Sequence, residues 1–227
     1  MGADSAQSTD QEESAFWKAP DWLRKKPRAD VFETIYRENI WGASGGGSKL
    51  DTTVEYRRLL VALLRKNHIR SVLDIGCGDW EFSRAIPWDD IHYVGIDIVS
   101  QLIEENRRKY GTHNIQFLRM DAVDENWPVA ELLIVKDVLQ HLSNAGVSRM
   151  LKKVQNYRYA LITNNYAKAN FESEDGDTRP LNLRAPPFNL SAKRVMKYDA
   201  KEVLLFQRKR FPWTRPRMQI SPALDER

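Results

Sequence analysis

The sequence predicts an α/β fold in which a mostly parallel sheet is covered by helices on both faces. Three observations carry that prediction. Short apolar runs alternate with stretches of helical periodicity from residue 71 onward, as right-handed crossovers between parallel strands require. The chain has 227 residues, 42% of them hydrophobic, enough for one domain with extensions and a core that needs no staples. The first apolar run ends in an acid and a glycine turn, LDIGCGDW over 73–80, where a parallel sheet meets a ligand at its carboxyl edge.

Residues 1–15 read as a disordered acidic leader. Asp4, Asp10, Glu12 and Glu13 stand there without Lys or Arg, and no apolar stripe offsets the entropy of ordering. Neither a basic start nor an apolar middle suggests a signal peptide, and Ala6 spoils the myristoylation pattern that Met1-Gly2 opens. Residues 16–50 form an arm in which Phe16, Trp17, Trp22, Phe32, Tyr36 and Trp41 interleave with Lys18, Arg24, Lys25, Lys26 and Arg28. A helical arm packed on the domain is the expected form; stacking on single-stranded nucleic acid is the other reading. WGASGGGS at 41–48 reads as a flexible or ligand-hugging loop. Ser48 and Asp51 resemble a capping pair that opens a helix running to about Asn67, with Tyr56, Leu60, Leu63 and Leu64 on one face.

The main domain covers 51–210. Strands are expected at Ser71–Ile75, Tyr93–Ile98, Ile115–Leu118, Leu132–Val135 and Tyr159–Thr163, with Arg194–Tyr198 and Glu202–Arg208 as a late pair. Helices are expected around Asp79–Ile86, Val99–Tyr110 and Ser143–Gln155. Residues 211–227 form a basic tail, and with Lys209 and Arg210 the tail and the arm hold much of the surplus in a net charge of +4. A single cysteine excludes an internal disulfide. Four scattered histidines, at 68, 92, 113 and 141, suggest no metal site, so the cytoplasm is the expected compartment. No run of about 18 apolar residues is present to span a membrane.

Gly76 and Gly78 let the backbone approach a ligand closely. A dinucleotide fingerprint would need a third small residue at 81, where Glu81 stands, and no P-loop pattern is present. Asp74, Asp79 and Glu81 around the turn disfavour a pyrophosphate and favour a cation. S-adenosylmethionine meets that demand with a sulfonium, an amino group, a ribose diol and adenine. Asp97, 97 − 78 = 19 residues beyond the second glycine, is placed to accept both ribose hydroxyls, with Ile98 beside it. Asp121, next to Ala122 after the third strand, is placed to accept from the adenine amino group.

From about Arg57 to Arg208 the chain resembles class I S-adenosylmethionine-dependent methyltransferases, through LDIGCGDW, GIDI, MDA and VKDVLQHL. The resemblance implies a Rossmann-like three-layer sandwich whose seven-stranded sheet ends in an antiparallel strand. It also implies that Asp74, Gly76, Gly78, Asp97, Ile98, Asp121, Ala122 and Lys136 line the cofactor site. Trp41 would cover the cofactor and Arg57 would pair with its carboxylate. Trp80 departs from the third glycine many members carry, and Cys77 reads as a small structural filler.

The family places the end of the fourth strand beside the sulfonium and the acceptor. A hydroxyl acceptor needs a base, so Asp137 and His141, four apart and on one face if the turn is helical, are expected to act as base and orienter. The signature for methylating nucleobase amines is absent there. The connection from Asn164 to Ala192 is too long for an ordinary turn and offers Asn164, Asn165, Tyr166, Arg179, Asn182 and Phe188 for a hydroxyl-rich acceptor, with Asp177 nearby. The expected activity is O-methylation of a hydroxyl on a small molecule or glycan, without a metal or a membrane partner. The rival readings are an RNA or protein methyltransferase using the basic arms, and a non-catalytic RNA-binding protein on the same fold.

Overall fold

The computed structural model describes residues 17–42 and 44–208. The acidic leader, Phe16, Lys209, Arg210 and the tail at 211–227 lie outside the described residues. Seven strands form one sheet: β1 Ser71–Ile75, β2 His92–Asp97, β3 Ile115–Arg119, β4 Leu132–Lys136, β5 Tyr159–Asn165, β6 Lys193–Tyr198 and β7 Lys201–Gln207. Their order is β3-β2-β1-β4-β5-β7-β6. The first five are parallel, while β7 runs antiparallel to β5 and pairs with β6 as a hairpin. This is the mostly parallel, three-layer architecture that the sequence implies.

Strand alternation sorts the core into two layers. Leu73, Ile75, Leu133 and Val135 face one side, against α5 (Asn144–Val154). Val72, Leu132 and Ile134 face the other, against α3 (Val54–Lys66) and α4 (Ser100–Tyr110). On α3 the expected face of Tyr56, Leu60, Leu63 and Leu64 is buried. Each such side chain contributes about 1.5–3 kcal/mol, which outweighs helix-propensity differences of a few tenths.

Two helix expectations need correction. The helix expected from Ser48 begins only at Val54, because the Thr52 hydroxyl donates to the Gly46 carbonyl (2.9 Å) and the Thr53 hydroxyl to that of Lys49 (2.7 Å), holding the segment in turns. Asp79–Ile86 forms only a 3-10 turn at Ser83–Ala85. There Trp80 takes a left-handed backbone with φ +60°, and its ring packs against Tyr93, Tyr110 and Phe117. Burial of the aromatic cluster overrides the local helical pattern.

The arm supplies α1 (Asp21–Arg24) and α2 (Arg28–Arg37), whose Leu23, Val31 and Ile35 join Ala19 in a small core against Trp17, Phe32 and Trp41. It is a packed helical arm. The long connection after β5 folds over the same edge, sending Leu181, Leu183 and Leu190 into the main core. Among the described residues no helix is long and apolar enough to cross a membrane.

Candidate active site

The glycine turn after β1 is built by backbone conformations that few side chains allow. Gly76 and Gly78 have φ of +67° and +55°. A Cβ on Gly76 would stand 2.3 Å from a Val138 methyl, so the residue is required by space as well as by φ. Trp80 shares the left-handed region, so where the resemblance leads one to expect a third glycine this chain meets the backbone demand with a buried aromatic. Asp97 ties the turn to β2: its Oδ2 accepts from Gly78 N (3.0 Å) and its Oδ1 from Val99 N (3.1 Å). The Ile98 backbone N–H donates to the same carboxylate. From α4, Asn106 donates to the Gly78 carbonyl at 2.7 Å.

This turn opens into a cavity of about 350 Å³ at the carboxyl edge of β1, β2 and β4. Its walls include Asp74, Gly76, Gly78, Asp97, Ile98, Asp121, Ala122 and Lys136, eight of the ten residues expected around a cofactor, and also Trp41. Arg57 is the exception. It does not line the cavity, and its guanidinium instead donates to the Leu50 carbonyl at 2.7 Å, which corrects the expected pairing with a cofactor carboxylate. Asp74 accepts from the Tyr93 hydroxyl at 2.6 Å, and burial pushes its pKa up to about 7. Burial likewise raises Asp97 and drives the Cys77 thiol well above its usual range, so Cys77 is a buried filler and not a nucleophile.

The arm closes the cavity from outside. Arg28, at the start of α2, reaches Asp121, Asp124 (3.0 Å) and Asp175 (2.7 Å), joining the arm, the β3 edge and the long connection in one cluster. Its burial is outweighed by these carboxylates, so its pKa is raised. Phe32, Tyr36 and Trp41 line the cavity, and Ser44 Oγ accepts from Asp79 N at 2.9 Å, docking the glycine loop on the glycine turn. Trp41 and the glycine loop were legible as site features; the contacts of Arg28, Phe32 and Tyr36 were not, because they depend on how the arm packs on the main domain.

At the end of β4, Asp137 has φ +59° and is gripped by two ammonium groups, Lys136 Nζ at 2.6 Å and Lys201 Nζ at 2.7 Å. Burial alone would raise its pKa, but the two lysines hold it below the usual carboxylate range. Lys136, over the rings of Phe82 and Tyr56, also donates to the Gly47 carbonyl at 2.7 Å. The helical turn expected to pair Asp137 with His141 is absent. Leu139–His141 is a 3-10 turn, and the His141 ring stacks on Trp41 at 4.2 Å, with Nδ1 3.1 Å from the Asp177 carbonyl. Burial lowers its pKa to about 4, so it is neutral near pH 7. Asp137 and His141 share the cavity wall but do not form a base and its orienter.

Of the six residues expected to bind the acceptor, Asn165 lines the cavity. The other five do not. Asn164 is buried in β5, and Tyr166 lies under Lys197 at 4.7 Å. Arg179 is fully buried and donates to the carbonyls of Leu142 (2.8 Å) and Phe171. Asn182 is bonded to Asn170, and Phe188 packs on the main core. Loop polarity suggested a pocket, but a long connection must satisfy its own backbone, and the side chains of Arg179 and Asn182 serve that end. Gln140, Thr178 and Lys201 reach the cavity without having been singled out. The placement of Lys201 just after a tight turn beside β5 was the available signal.

Residues 72–157 match the model of a family described as a methyltransferase domain. A search of curated protein sequences found no match. Among solved structures, human N-acetylserotonin methyltransferase in complex with SAM is similar at 12% identity and TM-score 0.53, over 81% of this chain and 60% of that one. This chain thus spans less than two thirds of the human enzyme. Magnesium protoporphyrin IX methyltransferase from Synechocystis PCC 6803 with bound SAH is similar at 14% identity and TM-score 0.57, over 81% of this chain and 100% of that one. A putative O-methyltransferase from Nostoc punctiforme PCC 73102 is similar at 14% identity and TM-score 0.51, over 67% of this chain and 56% of that one. These likenesses establish a shared fold.

Proposed function

We propose that this chain is an S-adenosylmethionine-dependent methyltransferase, and that it transfers the cofactor's methyl group to an oxygen of a small molecule or glycan. One observation supports this above the others: the glycine turn, Asp97 and Asp121 meet at one cavity whose acids suit a cation. The Asp97 carboxylate would hold the ribose hydroxyls. Asp74 and Asp79 would favour the amino group, and Asp121 and Ala122 would bound the adenine. When bound, S-adenosylmethionine supplies a methyl already activated by a sulfonium. The protein's own task is then to orient the acceptor and exclude water, through Trp41, the glycine loop and the His141 ring. On this reading residues 51–210 are the catalytic domain and the arm is its cover.

The readings that recruit RNA are weakened by what the arm's arginines touch. Arg24 pairs with Asp177 at 3.2 Å, and Arg28 with three carboxylates, so neither is offered outward. Calorimetric titration of S-adenosylmethionine into the chain and into Asp97→Ala tests the proposal. The chain is expected to bind, and the variant to bind at least about tenfold more weakly, the loss of about 1.5–3 kcal/mol that charge-assisted hydrogen bonds supply. Equal affinities would remove Asp97 from the site, and no binding by the unaltered chain would overturn the reading.

A further inference from the structure

The acceptor end of the cavity holds a surplus of cations and no free base among the groups assigned to it. Both oxygens of Asp137 are occupied, Oδ2 by Lys136 and Oδ1 by Lys201. Nδ1 of His141 lies 3.1 Å from the Asp177 carbonyl, which can only accept, and 3.2 Å from the Thr178 hydroxyl, which can do either, so a hydrogen on Nδ1 satisfies both partners. Its Nε2 faces the Gln140 amide nitrogen at 3.3 Å, which donates to it. Neither residue can take a proton from an alcohol without first breaking these bonds. Two lysines against one carboxylate leave one positive charge in excess. Asp74 offsets Lys136 only in part, since it is already bonded to Tyr93 and buried. Lys201 Nζ also donates to Asn165 Oδ1 at 3.1 Å, which leaves a third ammonium hydrogen and the Asn165 amide hydrogens as donors on the cavity wall.

Building on the methyl-transfer reading, we propose that the acceptor is a carboxylic acid, bound as its carboxylate by Lys201 and Asn165, and that the product is a methyl ester. The step then needs no base. A carboxylate lone pair forms the new C–O bond, the C–S bond breaks with its electron pair going to sulfur, and no proton leaves the acceptor. An alcohol would still need a free base to take its proton, whereas a carboxylate arrives already ionised and the excess positive charge holds it in place.

The test incubates the chain with methyl-labelled S-adenosylmethionine and matched acids and alcohols: benzoate with benzyl alcohol, cinnamate with cinnamyl alcohol, and a fatty acid with its fatty alcohol. Products are then treated with mild alkali. Label is expected on acids only and released as methanol, which an ester gives and an ether does not. Lys201→Met should raise the KM for the acid about tenfold or more and leave cofactor affinity within about threefold, with partial rescue by Lys201→Arg. Alkali-stable label, label on the alcohols, or no labelled acid from a chain that binds S-adenosylmethionine overturns the proposal. So does a Lys201→Met variant that loses cofactor affinity in step with turnover, because Lys201 would then serve the cofactor's own carboxylate. Failure to bind S-adenosylmethionine at all would instead remove the methyl-transfer reading on which this one rests.

Discussion

The two sides of the cavity are built on different principles. The sheet side is local: an acid, a glycine turn and the next strand's acid lie within about one crossover, and Asp97 holds the turn it faces through Gly78 N. The outer side is assembled from distant pieces. Trp17 and Thr178 exchange backbone hydrogen bonds at 3.2 and 2.8 Å, Asp177 accepts from Ala19 N at 2.8 Å, and Arg28 bridges three segments. The sheet side therefore tolerates little backbone change, whereas the outer side depends on side-chain ties that form only once both pieces have folded. On the methyl-transfer reading, a site divided in this way would hold its cofactor rigidly and leave acceptor specificity to the assembled wall.

Glycine replacements should expose the difference most strongly. In Gly76→Ala the new Cβ would meet Val138 at 2.3 Å in a backbone at φ +67°. Left-handed strain of about 1–2 kcal/mol and overpacking of about 1–3 kcal/mol act together. Gly46 lies in the glycine loop of the outer side with nothing within 4 Å of an added Cβ and no positive φ. Gly46→Ala should leave stability unchanged or raise it by up to about 1 kcal/mol, by restricting the unfolded chain. Urea unfolding of both variants measures the contrast, and equal losses would mean that the two glycines are held by the same kind of constraint.

Proton linkage should separate the two sides next. Burial raises Asp74 on the sheet side from 3.8 to about 7, so between those values the folded state holds more protons than the unfolded one, and stability falls as pH rises. Burial lowers His141, against Trp41 of the arm, from 6.5 to about 4, so here the unfolded state holds more protons, and stability is lost as pH falls from about 6.5. The two slopes oppose each other over most of that window. Each is at most about 1.4 kcal/mol per pH unit. Relative to the unaltered chain, Asp74→Asn should gain stability as pH rises from about 4 to 7, and His141→Gln should gain as pH falls from about 6.5 to 4. Unfolding curves at several pH values read both signs, and slopes of the same sign would break the contrast.

The same division governs what could be read from the sequence. Strand alternation and the LDIGCGDW turn carry their own geometry, so five parallel strands, the late hairpin and the acids at 74, 97 and 121 were legible. The short helix after β1 was not, because the Trp80 backbone is set by partners at 93, 110 and 117 and not by its neighbours. Asn182 and Arg179 looked like acceptor contacts because polarity in a long loop is ambiguous between binding a ligand and satisfying the loop itself. Lys201 showed the reverse problem: a lysine in a hairpin turn is ordinarily solvated, and only the pairing of β7 with β5 brings it to Asp137.

The smallest effect is expected on the outward face of the arm. Arg24 and Arg28 face inward, whereas Lys18, Lys25 and Lys26 are exposed and Trp22 is 57% exposed, with Lys26 Nζ 5.1 Å above its ring. If this face of the arm recruits RNA, these residues would do it. Three lysines on a single strand release about 0.7 counterion each, so they can steepen the dependence of log K on log salt by no more than about 2, and one base stacked on Trp22 adds about 1–3 kcal/mol. Replacing all four with Ala should change stability by less than about 0.5 kcal/mol per site and leave methyl transfer unaltered, since none touches the cavity wall. RNA titrations at several salt concentrations, run with the full chain and the fourfold variant, bound the arm's share. A slope difference above about 2, or a loss of methyl transfer in the variant, would make the arm a substrate platform and not a cover.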